Sequence, residues 1–142
     1  TPKSVVTILN SLNINLDGMD VVVIGRSNIV GKPAGALLLK ENCTVTMCHS
    51  KTKNLREVCK RSDILVVAIG KAKFIDDSFV KEGAIVIDVG TNSVQGKITG
   101  DVDFDKVIDK ASFVTPVPGG VGALTTTLLM KNACEAIEKY ED

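Results

Sequence analysis

The chain has 142 residues, of which 44% are hydrophobic and 24% are charged, and its 17 basic residues balance 17 acidic ones. This length fits one domain, and this composition supports an ordinary buried core, which argues against a disordered chain. Because the charges cancel, no overall field favours nucleic acid or an anionic membrane, and any anion site must be formed locally.

The first half of the chain opens with a predicted helix, in which apolar residues recur at helical spacing, with Thr1 as N-cap and Pro2 at the first helical position. The run VVVIG that ends at Gly25 has the length and continuous apolar character of a strand. We expect Pro33 to open the next helix and the three leucines from Leu37 to Leu39 to point inward.

The second half continues the alternation. CTVTMC (43–48) is a predicted buried strand whose cysteines act as apolar filling. The next short helix has Asn54 and Glu57 at the spacing of a capping box. Two more apolar strands follow at 63–70 and 84–90, and a last strand then leads into a Pro/Gly-rich bend and a long final helix.

Apolar strands that alternate with helices predict a doubly wound α/β fold, Rossmann-like, with a mostly parallel sheet covered on both faces. We expect a single domain over residues 1–142. In such a fold ligands bind beyond the carboxyl ends of the strands. Five polar or glycine-rich segments are thereby collected at one edge of the sheet: GRSNIVG, CHSKTK, IGKAK, DVGTN and TPVPGGVG.

The first of these segments has the order of a dinucleotide-binding turn but not its spacing. Gly25 is present, Ser27 stands where G-x-G-x-x-G has its second glycine, and the next glycine is Gly31. We expect the helix amides from Asn28 to Gly31 to face a phosphate, with the Ser27 hydroxyl as a direct donor. The turn alone is equally consistent with a structural turn in an unrelated α/β fold.

The segment after the second strand bears on the type of dinucleotide. NAD-binding proteins carry an acidic residue about 20 residues past the glycines, which bonds the ribose hydroxyls. Here that place holds His49, Ser50, Lys51 and Lys53, and Arg26 of the first turn offers a planar fork suited to phosphate. These residues favour NADP; the alternative is a solvated, charged loop. His49 is interpreted as lining this site or as simply exposed.

The four cysteines do not suggest a metal site, and we predict none. They show no C-x-x-C spacing and form no ligand pattern with the single histidine. Reduced thiols fit the cytoplasm, with the mitochondrial matrix as the alternative. The sequence has no signal peptide and no apolar run near the roughly 20 residues that a membrane helix needs, so we expect no membrane partner. The cysteines are Cys43, Cys48, Cys59 and Cys134.

Five motifs carry a resemblance to a known family. VVVIGRSNIVGKP, TVTMCHSKT, GAIVIDVGTN, GDVDF and TPVPGGVGALT occur in the order found in bifunctional methylenetetrahydrofolate dehydrogenase/cyclohydrolase. Over nearly all of residues 1–140 the chain resembles the NADP-binding domain of that family. The resemblance implies a role in one-carbon folate metabolism: hydride transfer from methylenetetrahydrofolate to NADP+, and hydrolysis of the methenyl product.

The resemblance also implies site residues. Gly25, Arg26 and Ser27 match the cofactor turn, Ser50 matches the residue beside the adenosine ribose phosphate, and Thr91 matches the position at the nicotinamide side. The residues that would line the cleft for folate and nicotinamide are Val117, Pro118, Gly119, Gly120, Val121 and Gly122.

Three positions depart from the usual family pattern. Thr91 stands for an isoleucine, Ala123 for a proline and Leu124 for a methionine. A polar Thr91 bears on the contacts with the cofactor, and Ala123 loosens the entry to the last helix. These changes bear on rate and affinity more than on identity.

The family's catalytic lysine lies in a Y-x-x-x-K motif of an N-terminal folate-binding domain. The single tyrosine of this chain, Tyr140, is too near Asp142 to begin such a motif. We therefore expect no catalytic residue here, a folate substrate shared with a missing N-terminal domain, and a chain that is inactive alone. A homodimer is implied by the resemblance only. The alternative is a stand-alone nucleotide-binding or interaction module without catalysis.

Overall fold

The structure is a computed structural model that describes residues 1–125. Helices and strands alternate along this part of the chain, as predicted. The predicted last helix begins at residue 121, and its residues from 126 onward, with Cys134 and Tyr140, lie outside the described residues. The elements in chain order are α1 (Pro2–Ser11), β1 (Asp20–Ile24), α2 (Gly31–Lys40), β2 (Thr44–Cys48), α3 (Leu55–Lys60), β3 (Ile64–Val67), a 3-10 turn (Asp77–Phe79), β4 (Ile85–Asp88), β5 (Asn92–Val94), β6 (Lys97–Thr99), α4 (Phe104–Val107) and β7 (Phe113–Val114).

Five strands form one parallel sheet in the order β2-β1-β3-β4-β7. In its register Val22 of β1 pairs with Thr46 on one side and with Leu65 of β3 on the other. The short strands β5 and β6 form a separate antiparallel hairpin. A parallel sheet of this order, with helical crossovers between its strands, confirms the predicted Rossmann-like fold.

The core lies on both faces of the sheet because side chains alternate along each strand. Val22 and Leu65 pack with Cys59 of α3 on one face. Val21 and Val66 point the other way, where α1 and α2 cover them. The continuous apolar runs of β1 and β3 follow from this double coverage.

The second strand was predicted to be buried, and that prediction is wrong. β2 is one of the two edge strands of the sheet, and Thr44, Thr46 and Met47 are exposed. Cys48 and the preceding Cys43 are buried, as expected. An edge strand has one neighbour and less cover, which explains why threonines alternate with apolar residues here.

Two local helix predictions also need correction. α2 begins at Gly31, two residues before Pro33, and its residue Leu39 is 64% exposed while Leu38 is fully buried. Consecutive residues on a helix are about 100° apart, so three in a row cannot all point inward. Asn54 precedes α3 in a left-handed conformation without a capping bond from its side chain, so the predicted capping box is absent. None of the helices within residues 1–125 combines the length and apolarity needed to span a bilayer.

Candidate functional site

Two clefts open where the strands end. The first cleft, of about 350 Å³, follows β1, β2 and β3, and the second cleft, of about 480 Å³, follows β4 and β7. Because β3 and β4 are neighbours in a parallel sheet, both clefts lie on the same edge. The residues that line the first cleft include Gly25, Arg26, His49, Ser50, Ile69, Lys71 and Phe74.

The turn after β1 is tight for steric reasons. Gly25 has a φ of +120°, and a Cβ at this position would overlap the carbonyl oxygen of Ala68 at the end of β3. A Cβ on Gly31 would in turn overlap the carbonyl of Gly25. Only glycine fits at both positions. The two glycines that remain of the altered motif thus let the sheet edge, the turn and α2 approach one another closely.

Ser27 stabilises the turn that leads into α2, whose N-cap residue is Val30. Its Oγ accepts hydrogen bonds from the backbone N–H groups of Val30, at 3.1 Å, and Gly31, at 3.3 Å. The expectation that these two amides face a phosphate is therefore wrong, because the protein's own hydroxyl occupies them. With both lone pairs accepting, the hydroxyl hydrogen of the exposed Ser27 is left to donate outward.

The loop after β2 is held by its own polar groups. The backbone N–H of His49 donates to Thr52 Oγ1 at 2.9 Å, and the N–H of Lys51 donates to His49 Nδ1 at 3.1 Å. Both contacts lie within the loop itself, so they fix its conformation and the position of the His49 ring. His49 lines the first cleft as a loop-shaping residue, and Ser50 at the tip is exposed to it.

The cations near the first cleft differ in part from those that the sequence favours. Arg26 lines the cleft, is exposed, and takes part in none of the salt bridges found within residues 1–125. Lys51 and Lys53 are not among the lining residues; Lys71, from the loop after β3, lines the cleft instead, with its Nζ 5.3 Å from the ring centre of Phe74. The first cleft thus offers a guanidinium, an ammonium and a serine hydroxyl on one side and apolar surface from Phe74 on the other.

The second cleft brings Thr91 together with the whole segment from Val117 to Gly122. Gly119 has a φ of +99°, and a Cβ on Gly120 would overlap the carbonyl oxygen of Pro116, so the backbone of this loop is tightly folded. The side chain of Val121 is only 2% exposed and packs in the core, which leaves its backbone as the part that faces the cleft.

Two buried carboxylates that the sequence pattern does not single out organise both clefts. Asp88 and Asp101 are 3% and 0% exposed. Burial raises the pKa of Asp88 to about 6, against the opposing effect of three backbone N–H donors, those of Val102, Asp101 and Gly90. For Asp88 the available signal was an aspartate at the end of an apolar run, two residues before a glycine, as in DVG.

A parallel sheet with a glycine turn, an exposed arginine and hydroxyl donors at its carboxyl edge defines a nucleotide-binding domain. The profile of the family described as "Tetrahydrofolate dehydrogenase/cyclohydrolase, NAD(P)-binding domain" matches residues 1–141. The chain belongs to this family, as the resemblance predicted.

Relatives from Clostridium species agree with this family assignment. The chain is 74% identical over 142 residues to the bifunctional protein FolD of Clostridium botulinum (strain Alaska E43 / Type E3), covering 100% of this chain and 50% of that protein. It is 72% identical over 141 residues to the bifunctional protein FolD of Clostridium beijerinckii, covering 99% of this chain and 50% of that protein. The chain therefore spans about half the length of the curated relatives it matches.

Solved structures extend the comparison. The bifunctional FolD methylenetetrahydrofolate dehydrogenase/cyclohydrolase of Campylobacter jejuni superposes with a TM-score of 0.94 at 44% identity, over 98% of this chain and 50% of that one. The Trypanosoma brucei FolD, solved with NADP cofactor and inhibitor, gives 0.91 at 37% identity, over 98% and 50%.

Proposed function

We propose that this chain is the NADP-binding domain, over residues 1–142, of a cytoplasmic bifunctional methylenetetrahydrofolate dehydrogenase/cyclohydrolase. The observation that carries the proposal is the convergence of Arg26 and Ser50 in the cleft at one end of a continuous sheet edge, with Thr91 and a glycine-rich loop at the other. Within residues 1–125 Arg26 forms no salt bridge, and the exposed Ser27 follows it in the chain. A dinucleotide needs such an edge, because its two nucleotide ends bind on either side of a phosphate-binding turn.

In this proposal the first cleft takes the adenosine end of the cofactor. The Arg26 guanidinium and the Ser50 hydroxyl would bind the ribose 2′-phosphate, for which a planar fork and a neutral donor are well suited. The turn at Gly25 would let the pyrophosphate approach the backbone, and the outward hydroxyl hydrogen of Ser27 would donate to it. Arg26 and Ser50 are exposed and line this cleft, which supports the assignment.

The second cleft would take the nicotinamide and the edge of the folate. Thr91 would contact the nicotinamide side, and the loop Val117, Pro118, Gly119, Gly120, Val121 and Gly122 would present backbone to the flat rings. Bound NADP+ supplies the hydride acceptor for methylenetetrahydrofolate. The part of this chain is to hold the two reacting carbons together and exclude water, which is the main requirement of hydride transfer.

Hydrolysis of the methenyl product needs a proton donor and acceptor, and no residue of this chain is assigned that role. We propose that the folate is shared with an N-terminal domain that carries the catalytic lysine, and that the whole enzyme is a homodimer in one-carbon folate metabolism. Neither nucleic acid nor a membrane is among the proposed partners.

The test has two parts. In calorimetric titration the purified 142-residue chain should bind NADP+ more tightly than NAD+. It should show no dehydrogenase or cyclohydrolase turnover, and turnover should appear when the chain is joined to the Y-x-x-x-K domain of a close relative. Robust turnover by the chain alone would overturn the assigned division of labour. NADP+ binding without turnover in the joined protein would favour a stand-alone binding module.

A further inference from the structure

The carboxylate of Asp101 is fully buried, and within residues 1–125 it forms no salt bridge. It is satisfied by N–H groups. Oδ2 accepts from the backbone of Ile69 at 2.8 Å and of Gly70 at 3.1 Å, and Oδ1 accepts from the backbone of Lys71 at 2.9 Å and from Asn92 Nδ2 at 2.9 Å. These four N–H groups take the place of water around the buried side chain, so Asp101 strongly constrains the loop after β3.

Asp88, the last residue of β4, holds Asp101 in turn. Its Oδ1 accepts from the backbone N–H of Asp101 at 3.1 Å and of Gly90 at 2.9 Å, and its Oδ2 accepts from Val102 at 3.0 Å. The two carboxylates thus form one continuous network from the loop after β3 to the loop after β4.

Glycines make room for this network. A Cβ on Gly90 would overlap the carboxylate of Asp101, and a Cβ on Gly100 would overlap that of Asp88. Neither glycine has a positive φ, so backbone conformation does not require them. The space that they leave is filled by the two carboxylates.

The network joins the walls of the two clefts. Ile69 and Lys71 line the first cleft, whereas Asp88, Gly90 and Thr91 line the second. We propose that Asp101, supported by Asp88, is a positioning residue that sets the spacing between the adenosine end and the nicotinamide end of the groove. It acts through the backbone of residues 69–71 and does not contact the dinucleotide. The inference rests on the proposed function, since it requires one dinucleotide to span both clefts.

The test compares a ligand that spans both clefts with one that fills only the first. Asp101→Asn keeps the shape of the side chain but turns one oxygen into a donor that faces N–H donors. We expect NADP+ to bind about tenfold more weakly or worse. Adenosine 2′,5′-bisphosphate fills only the first cleft, so it senses a shift of Ile69 and Lys71 but not a changed spacing between the clefts. Its affinity should therefore fall by less than about threefold.

Two further variants complete the design. Asp76→Asn is the matched control: Asp76 also accepts a backbone N–H, that of Ser78 at 2.9 Å, but lines neither cleft, so both affinities should stay unchanged. Asn92→Ala removes one donor to Asp101 and should weaken NADP+ by about threefold, with the bisphosphate unaffected. If Asp101→Asn does not fold, Asn92→Ala decides.

Equal losses for both ligands, or unchanged NADP+ affinity in both Asp101→Asn and Asn92→Ala, would overturn the positioning role. Failure of the unmodified chain to bind NADP+ would instead overturn the proposed function, and this inference with it. The two failures are distinguishable because the unmodified chain is titrated first.

Discussion

The Oγ of Ser27 accepts a hydrogen bond at 3.1 Å from the backbone N–H of Val30, the N-cap residue of α2, so the residue that replaces the second glycine of the dinucleotide motif fixes the turn that enters this helix. Ser27→Ala removes this acceptor and leaves the backbone N–H groups of Val30 and Gly31 without it. We expect the free energy of unfolding to fall by about 0.5–2 kcal/mol, measured by urea denaturation. NADP+ affinity should fall as well, since the donor to the phosphate is lost.

The control for this change is Ser11→Ala. Ser11 donates its hydroxyl to the carbonyl of Ile8 at the far end of another helix, α1. Its loss should leave NADP+ affinity unchanged. Unaltered stability in Ser27→Ala would show that these two hydrogen bonds to Ser27 do not form in solution.

Arg26→Ala should separate the two dinucleotides. A hydrogen bond to a charged group contributes about 1.5–3 kcal/mol, so NADP+ affinity should drop about tenfold or more while NAD+ affinity changes little. Calorimetric titration with both dinucleotides measures the difference. Arg61→Ala is the control, because Arg61 is equally exposed but precedes β3 at the opposite edge of the sheet. Equal losses for NADP+ and NAD+ in Arg26→Ala would mean that the guanidinium does not contact the 2′-phosphate.

Gly25→Ala should destabilise the fold severely. The new Cβ would overlap the backbone of Ala68, which directly follows the central strand β3, so we expect a loss above about 3 kcal/mol in urea denaturation. Gly18→Ala is a matched control with a φ of +74° but open space around its Cβ, and should cost about 1 kcal/mol. Similar costs for both variants would show that φ alone, and not the close approach, requires glycine at position 25.

Asp88 should titrate near pH 6, with its three backbone donors as reporters. Its pKa in the folded protein is about 6 against an ordinary 3.8, chiefly because it is buried. Between these values the folded chain binds more protons than the unfolded chain. The contribution of Asp88 to the free energy of unfolding is therefore fully present below pH 4. It is lost as the pH rises through 6, by about 3 kcal/mol in all.

Carboxyl NMR shifts measure this titration directly, with Asp63 as the internal contrast. The hydrogen bond from Lys81, at 2.7 Å, is the main cause that lowers the pKa of Asp63, so this group should titrate below its usual range. A midpoint for Asp88 at or below 4 would contradict the prediction.

The parallel sheet was predictable because its central strands are buried on both faces. β1, β3 and β4 each appear as an unbroken apolar run, and such runs between helices leave few other folds. The edge position of β2 was not predictable in the same way. The order of strands in the sheet depends on the side of β1 on which each crossover places the next strand. The order of the strands along the chain does not determine this.

The candidate site, too, could be predicted from the sequence only in part. Gly25 and Gly31 stand out in the sequence because a glycine turn between a strand and a helix is a known motif, although the contact that requires Gly25 is with the distant Ala68. The role of Ser27 depends on whether its hydroxyl meets a ligand or a backbone amide, and spacing does not decide that. Asp101 was missed because its partners lie 30 to 32 positions away at Ile69–Lys71, a relation that only the folded chain creates.

Because the protein's own hydroxyl fixes the turn that enters α2, this turn keeps its conformation without help from a bound anion. Capture of a nucleotide at this end then involves little loss of chain entropy, and preorganisation of this kind favours affinity. The association rate constant for the nucleotide should consequently be set by diffusion and orientation, with no slow ordering step at this turn.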